Sequence, residues 1–423
     1  MNRRIHLFLA VMISISLLAT TWARGAKETP KEPVKIWFNT LFHGGDAKAM
    51  EMIVQEFNKK NQDVQIDLTQ GSWTQYAAQL NNAVMAGEAP QIGIILNFLM
   101  PSMHPALTPL NDSPVGDLLK EFGIKREDYV EYVWDIATIG GKQYGIPLDN
   151  TLLGIYYNKD AFRKAGLNPD KPPMTMDEFV ASCEALKKAG FIPFHPAAFG
   201  QSRWYRRAWY IFYWQKGGEL IEGNRAAFNN QKGLEALEAL VAIRERGWNT
   251  PGTNGAAQFE TGNLGMMMNG TWHYLSLANV KFDWGMMGIP KWFDKQYTWG
   301  SNHFLVIPKQ TKKQEPLIKP AMKAIKFITE NSHLWGIYGG HVPLRKSAMQ
   351  SQELQQSETW KKALKTFTDM AFSGVYKSKP LHPKIGEINA AIEPHIERAY
   401  NGTISPKEAL ALAERDVNAV LSK

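Results

Sequence analysis

Val34-Lys35-Ile36-Trp37-Phe38 reads as a β-strand and runs into the turn Phe42-His43-Gly44-Gly45. Asp46 is placed to cap a helix whose apolar face is Met50, Ile53, Val54 and Phe57. Val64-Gln65-Ile66-Asp67-Leu68 alternates as a second strand. Tyr76, Leu80, Val84 and Met85 mark a second helix, and residues 92–96 make a buried-looking strand. Strand followed by helix, twice over, argues an α/β chain with parallel pairing.

A new unit opens at Tyr144-Gly145-Ile146-Pro147, with a strand over 152–157. Thr175-Met176-Asp177-Glu178 is a capping box that starts a helix through Phe179, Cys183 and Leu186. Another helix turns Leu234, Leu237, Leu240 and Val241 inward, and a strand returns over 304–308. Ser405-Pro406-Lys407-Glu408 combines a capping box with Pro at the first helical position, ahead of the stripe Leu410, Ala413, Val417 and Val420. A chain of 423 residues suits two lobes rather than one core.

Upstream, Arg3-Arg4 and a mainly apolar run over 5–19 end in Thr21 and Ala23, the pattern of a signal peptide over residues 1–23 with cleavage after Ala23. Export by the Sec route is expected, since His6 interrupts the apolar stretch a twin-arginine signal needs. Residues 24–33 form a polar linker. Losing Arg3 and Arg4 brings the net charge from +8 to +6, and the remaining Lys and Arg are dispersed, so no nucleic-acid partner is expected. With no Cys near the cleavage point, the mature chain is expected to diffuse freely in a periplasm.

At 44% hydrophobic and 21% charged residues the chain is globular, not disordered. The single cysteine, Cys183, excludes an internal disulfide and a Cys-based zinc cluster, and sits as a small core residue. No dinucleotide, phosphate-loop, nucleophile-elbow or zinc-protease motif occurs, and the ten His show no i, i+4 pair. Asp149, Glu260 and Glu387 stay open as formal candidates for the two carboxylates of a glycosidase. The expectation is no enzyme, no catalytic residue, no cofactor and no metal.

Several segments together resemble the extracellular solute-binding proteins of sugar-type ABC importers. They are Ile36-Trp37-Phe38 with Glu56-Phe57-Asn58-Lys59, and Gly87-Glu88-Ala89-Pro90-Gln91-Ile92, where Gln91 stands for the usual Asp. The most specific is Gly145-Ile146-Pro147 followed by Tyr156-Tyr157-Asn158-Lys159-Asp160-Ala161-Phe162 and Ala165-Gly166-Leu167. Thr175-Met176-Asp177-Glu178-Phe179, the run from Phe259 to Trp272 and the tail from Asn401 to Leu410 complete the order. The resemblance implies a two-lobed α/β fold with hinge crossings near 148–151, 300–303 and 342–345 and an interlobe ligand cleft. Lobe 1 would hold 34–148 plus 303–343, and lobe 2 would hold 149–302 plus 344–423. It implies a monomer that closes on a carbohydrate and docks on permease subunits in the inner membrane.

Aromatic side chains cover the C–H faces of a sugar, and polar groups meet its hydroxyls. Trp272, at the end of the Asn-Gly-Thr-Trp motif, is where the family commonly faces the ligand, and Trp204 and Tyr205 fall in its aromatic second-lobe loop. Trp209, Tyr210 and Trp214 continue at helical spacing and read as core. Loops after strands offer Phe42, His43, Gly44, Asn97 and Phe98, and Trp73 walls the cleft or packs beside it. The crossings offer Asp149, Asn150, Thr151, Ser301, Asn302, His303 and His341. Glu387 or Asn389 replaces a family aromatic near the penultimate helix. Arg203, Arg206 and Arg207 either pair at the rim or meet an anionic solute.

Overall fold

The computed structural model describes residues 32–423, so the signal-peptide reading lies outside the described residues, as does most of the linker. The strands used below are β1 Val34–Thr40, β2 Val64–Gln70, β3 Gly93–Leu96, β4 Ile146–Asn158, β5 Ile192–His195, β6 Leu264–Gly270, β7 Trp284–Met287, β8 Thr298–Val306, β9 Val342–Pro343 and β10 Tyr376–Lys377. The helices are α1 Gly45–Lys60, α2 Tyr76–Ala86, α3 Met176–Lys188, α4 Ser202–Gln215, α5 Gln231–Glu245, α6 Ile318–Glu330, α7 Ser332–Gly339, α8 Ile385–Tyr400 and α9 Pro406–Leu421. Among the described residues no helix is long and apolar enough to cross a membrane.

β1 and β2 pair in parallel, and α1 covers them with Met50, Ile53, Val54 and Phe57 as its apolar face requires. In α2 the stripe of Tyr76 and Leu80 is buried, but Met85 is exposed because it lies one position round from the i, i+4 series. Capping explains where two helices begin. Thr175 and Glu178 make the full reciprocal box at α3, whereas Ser405 caps α9 through its hydroxyl alone, with Pro406 in the first turn.

Parallel pairing is not the rule at the centre. β4, buried over its whole length, pairs antiparallel with β6, β7, β8 and β9, and β8 pairs antiparallel with β3. β5 joins β6 in parallel and β10 joins β8 in parallel. Strands that run between two cores reverse direction relative to one another each time the chain passes over and back, which local alternation does not encode.

Two hydrophobic cores follow. One gathers β1 to β3, α1, α2 and α6. The other gathers α3 to α5, β5 to β7, α8 and α9. β4 contributes Ile146 and Leu148 to the first and Leu152 onward to the second. β8 contributes Trp299 to the second and Phe304 to Val306 to the first. At the third passage Val342 packs in the second core and Leu344 in the first. Cys183 is buried on α3, and burial raises its thiol well above the ordinary range.

Candidate functional site

Between the cores lies a cleft of about 470 Å³, within the usual size for small-molecule sites. One side comes from the turn after β1, where Leu41, Phe42, His43, Gly44, Gly45 and Asp46 meet Leu96, Phe98 and Trp73. Gly44 sits at φ +57, a left-handed conformation that lets the chain double back into α1. The facing side comes from the first turns of α4, with Arg203, Trp204 and Arg207, and from Trp272 and His273 after β6. Thr151, Trp299 and His303 close the base.

The aromatic groups meet edge to face, except that Phe42 and Trp335 are tilted at 43°. Trp204 meets Trp272 at 6.0 Å and Phe199 at 5.2 Å between ring centres. Phe42 lies 5.1 Å from His303 and 4.7 Å from Trp335. Arg207 is held between the indoles of Trp204 and Trp299. His273 is buried and bears no charge near neutrality, since desolvation takes its imidazole down to about 4.

Of the expected site residues, Phe42, His43, Gly44, Trp73, Phe98, Thr151, Trp204, Trp272 and His303 line the cleft together. The others lie outside the lining, each for a visible reason. Tyr205 is one residue round α4 from Trp204, and it stacks on Tyr400 at 4.3 Å in the core. Asn97 and Ser301 bond to each other, Ser301 Oγ donating to Asn97 Oδ1 at 2.8 Å. Asn302 accepts from the Tyr376 hydroxyl at 2.9 Å, and Asn150 is buried on β4. Asn389 likewise accepts from Tyr210 in the core. Asp149 and His341 are fully buried at the crossings.

Those crossings carry a compact ionic network. Asp149 on β4 accepts from His303 Nδ1 on β8 at 2.8 Å and from Trp335 Nε1 on α7 at 2.6 Å. His341, just before β9, sets Nδ1 3.4 Å from Asp149 Oδ2 and Nε2 2.9 Å from Asp46 Oδ1. Thr271 Oγ lies 3.3 Å from His341 Nδ1. Asp46 therefore does not cap α1; its carboxylate is drawn to the imidazole instead. Burial works against the charge on Asp149, but His303 and His341 outweigh it, and the carboxyl titrates below its ordinary value. Burial also opposes the His341 cation, but Asp46 and Asp149 outweigh that and raise it. Asp149, His303 and His341 bring three possible metal ligand atoms within 4.8 Å, yet these atoms are engaged with one another and with Trp335 and Asp46. Asp46 and His303 belong to this network and also line the cleft. Of the carboxylates considered for catalysis, Asp149 is thus committed to the network, Glu260 lines the cleft, and Glu387 is exposed outside the lining.

Sequence reasoning missed Asp46, Trp299, Phe199 and His273 as lining residues. Trp299 had a usable signal, an indole immediately before a crossing.

Comparisons with known proteins bear on the family and the fold. The bacterial extracellular solute-binding protein family matches residues 52–365. A binding protein of Brucella abortus is 23% identical over 226 residues, 52% of this chain and 53% of its own, so the match spans about half that relative's length. The sn-glycerol-3-phosphate-binding periplasmic protein UgpB of Escherichia coli is 24% identical over 443 residues, covering 96% of this chain and 97% of its own. The solved structure of the cyclic alpha-maltosyl-1,6-maltose binding protein from Arthrobacter globiformis superposes with TM-score 0.74 at 24% identity, over 92% of this chain and 99% of that one. The likeness is one of fold.

Proposed function

We propose, for a chain that belongs to the bacterial extracellular solute-binding protein family, that it is the periplasmic receptor of an ABC importer and captures a mono- or oligosaccharide between two closing lobes. The observation that carries this reading is the aromatic wall of Trp204, Trp272 and Trp299 on a cleft whose edges are polar. Indole faces match the C–H faces of a pyranose, while His43, Thr151 and Glu260 offer partners to its hydroxyls.

The two hydrophobic cores support lobes of 34–148 plus 303–343 and 149–302 plus 344–423, joined at the three crossings, except that at the third Val342 packs in the second core and Leu344 in the first. A solute touching both lobes favours the closed state by its differential affinity, and the closed monomer is what inner-membrane permease subunits receive. Binding and closure need no catalytic residue and no cofactor. Phe42, His43, Trp73, Trp204 and Trp272 make the contacts, joined by Trp299, His303 and Arg207. Asn97, Asn150, Ser301, Asn302, Tyr205 and His341 support them from behind.

Calorimetric titration tests this with the chain unfolded and refolded to strip endogenous solute. Micromolar or tighter binding of at least one sugar, with a change in Trp fluorescence and no product, is the expected result. Turnover of any sugar, or silence across neutral and acidic mono- and oligosaccharides, would remove the reading.

A further inference from the structure

α4 presents two adjacent arginines in opposite circumstances. Arg206 is buried and meets a carboxylate, with Nε and Nη2 each 2.9 Å from Glu393 Oε1. Arg207 lines the cleft at 8% exposure and has no carboxylate partner among the described residues. Its guanidinium lies 4.8 Å from the Trp204 ring centre and 4.3 Å from that of Trp299. Such contacts offset part of the cost of burying a cation, but an indole face gives its N–H groups no oxygen acceptor. Burial, then the neighbouring charges of Arg206 and Arg203, push the Arg207 guanidinium down to about 9, so it is still a cation at neutral pH.

More positive charge gathers at the same end. Arg203 lines the cleft one turn earlier, without a carboxylate partner among the described residues. Lys379 is buried with its Nζ 3.9 Å from the ring centre of Phe98, a lining residue, and burial followed by the charges of Arg206 and Arg207 holds its amine well below the usual lysine range. Three of the unmet hydrogen bonds in the lining have the same sign, beside the unpartnered His273 Nε2 and His303 Nε2. Trp204 Nε1, Trp299 Nε1 and Arg207 Nε are buried without a partner in the protein, and all three belong to lining residues. These atoms can only donate, so the partners they lack are acceptors. Of the two lining carboxylates, Asp46 is held by His341, and Glu260 is exposed at the end of the short helix Gly255–Glu260 and pairs with no arginine or lysine among the described residues.

We infer that this end of the cleft takes an anionic group, a phosphate or carboxylate on a polyhydroxylated body, with Arg207 and Arg203 as its donors. The inference rests on the solute-capture reading and narrows it to acidic sugars and polyol phosphates.

The test titrates the refolded chain with glucose, glucuronate, glucose 6-phosphate and maltose at several salt concentrations. A charged sugar is expected to bind about 10- to 100-fold tighter than glucose, the return of charge-assisted hydrogen bonds. Added salt should shrink that ratio, and Arg207→Gln and Arg203→Gln should each bring it toward one. The salt series uses the unaltered chain, so it decides the matter even where a variant fails to fold. Preference for glucuronate or for glucose 6-phosphate tells which anion is meant, and either supports the assignment. Binding of maltose or glucose as tight as that of both charged sugars would overturn it and leave the receptor reading standing. Silence from all four would take both down together.

Discussion

The crossings and the wall of the cleft both bury ionised side chains, and they do so on opposite terms. At the crossings Asp149 is met by His303, His341 and Trp335, and His341 is met in turn by Asp46, so each charge faces its opposite at hydrogen-bond range. In the wall Arg207 faces two indoles and no carboxylate among the described residues. A closed circuit of charges holds a position without help from outside. An open one is complete only when something else arrives. The contrast separates what stabilises the empty protein from what prepares it for a solute.

The sharpest way to break that contrast is at its closed end. Asp149→Asn leaves two imidazoles and an indole N–H around a neutral amide, and should cost about 3–5 kcal/mol of unfolding free energy. A shift of the urea midpoint with unchanged slope would register it. At the open end the sign reverses. Arg207→Met removes an uncompensated buried cation, and should raise the stability of the solute-free protein by about 1 kcal/mol in the same melts. Destabilisation by Arg207→Met comparable to that of Asp149→Asn would erase the distinction.

Proton concentration sharpens the comparison further. Asp149 is lowered in the folded state, so its contribution is present above its ordinary value and fades as pH falls through the lowered one. His341 is raised, so its contribution is full below its ordinary value of 6.5 and is lost as pH rises through the raised one. The crossings are therefore most secure between about pH 4 and 6.5. His341→Gln should flatten the alkaline side of the urea-midpoint profile relative to the unaltered chain. The smallest effect belongs to a third kind of ionic site. Arg126 pairs with Asp135 and Glu131 in full contact with water, and Arg126→Ala should leave the thermal midpoint within about 1 °C.

Much of the architecture was legible because it is written locally. The apolar stripe of α1 and the box at Thr175 depend on residues within one or two turns, and both form as read. The antiparallel set around β4 was not, because its partners lie in β6 to β9, far along the chain. Within the site the same divide holds. Trp204 and Trp272 could be found from position, but Tyr205 differs from Trp204 only by one step round a helix whose orientation is set by distant packing. Nor could sequence tell that Glu393 would choose Arg206 and leave Arg207 unpaired, or that Asp46 would turn from its helix to His341.

β4 meets β8 with Leu152 opposite Gly300 and meets β9 with Asn150 opposite Val342. No short hairpin brings these partners together, so loop-closure entropy must be met before any of their bonds form. Each core can gather its nearer helices and strands earlier. The joint between the cores waits for the chain to return twice. On the receptor reading, the segment proposed to bend on capture is in this sense the last to set when the chain folds, and until then Asp149 has neither of its imidazoles.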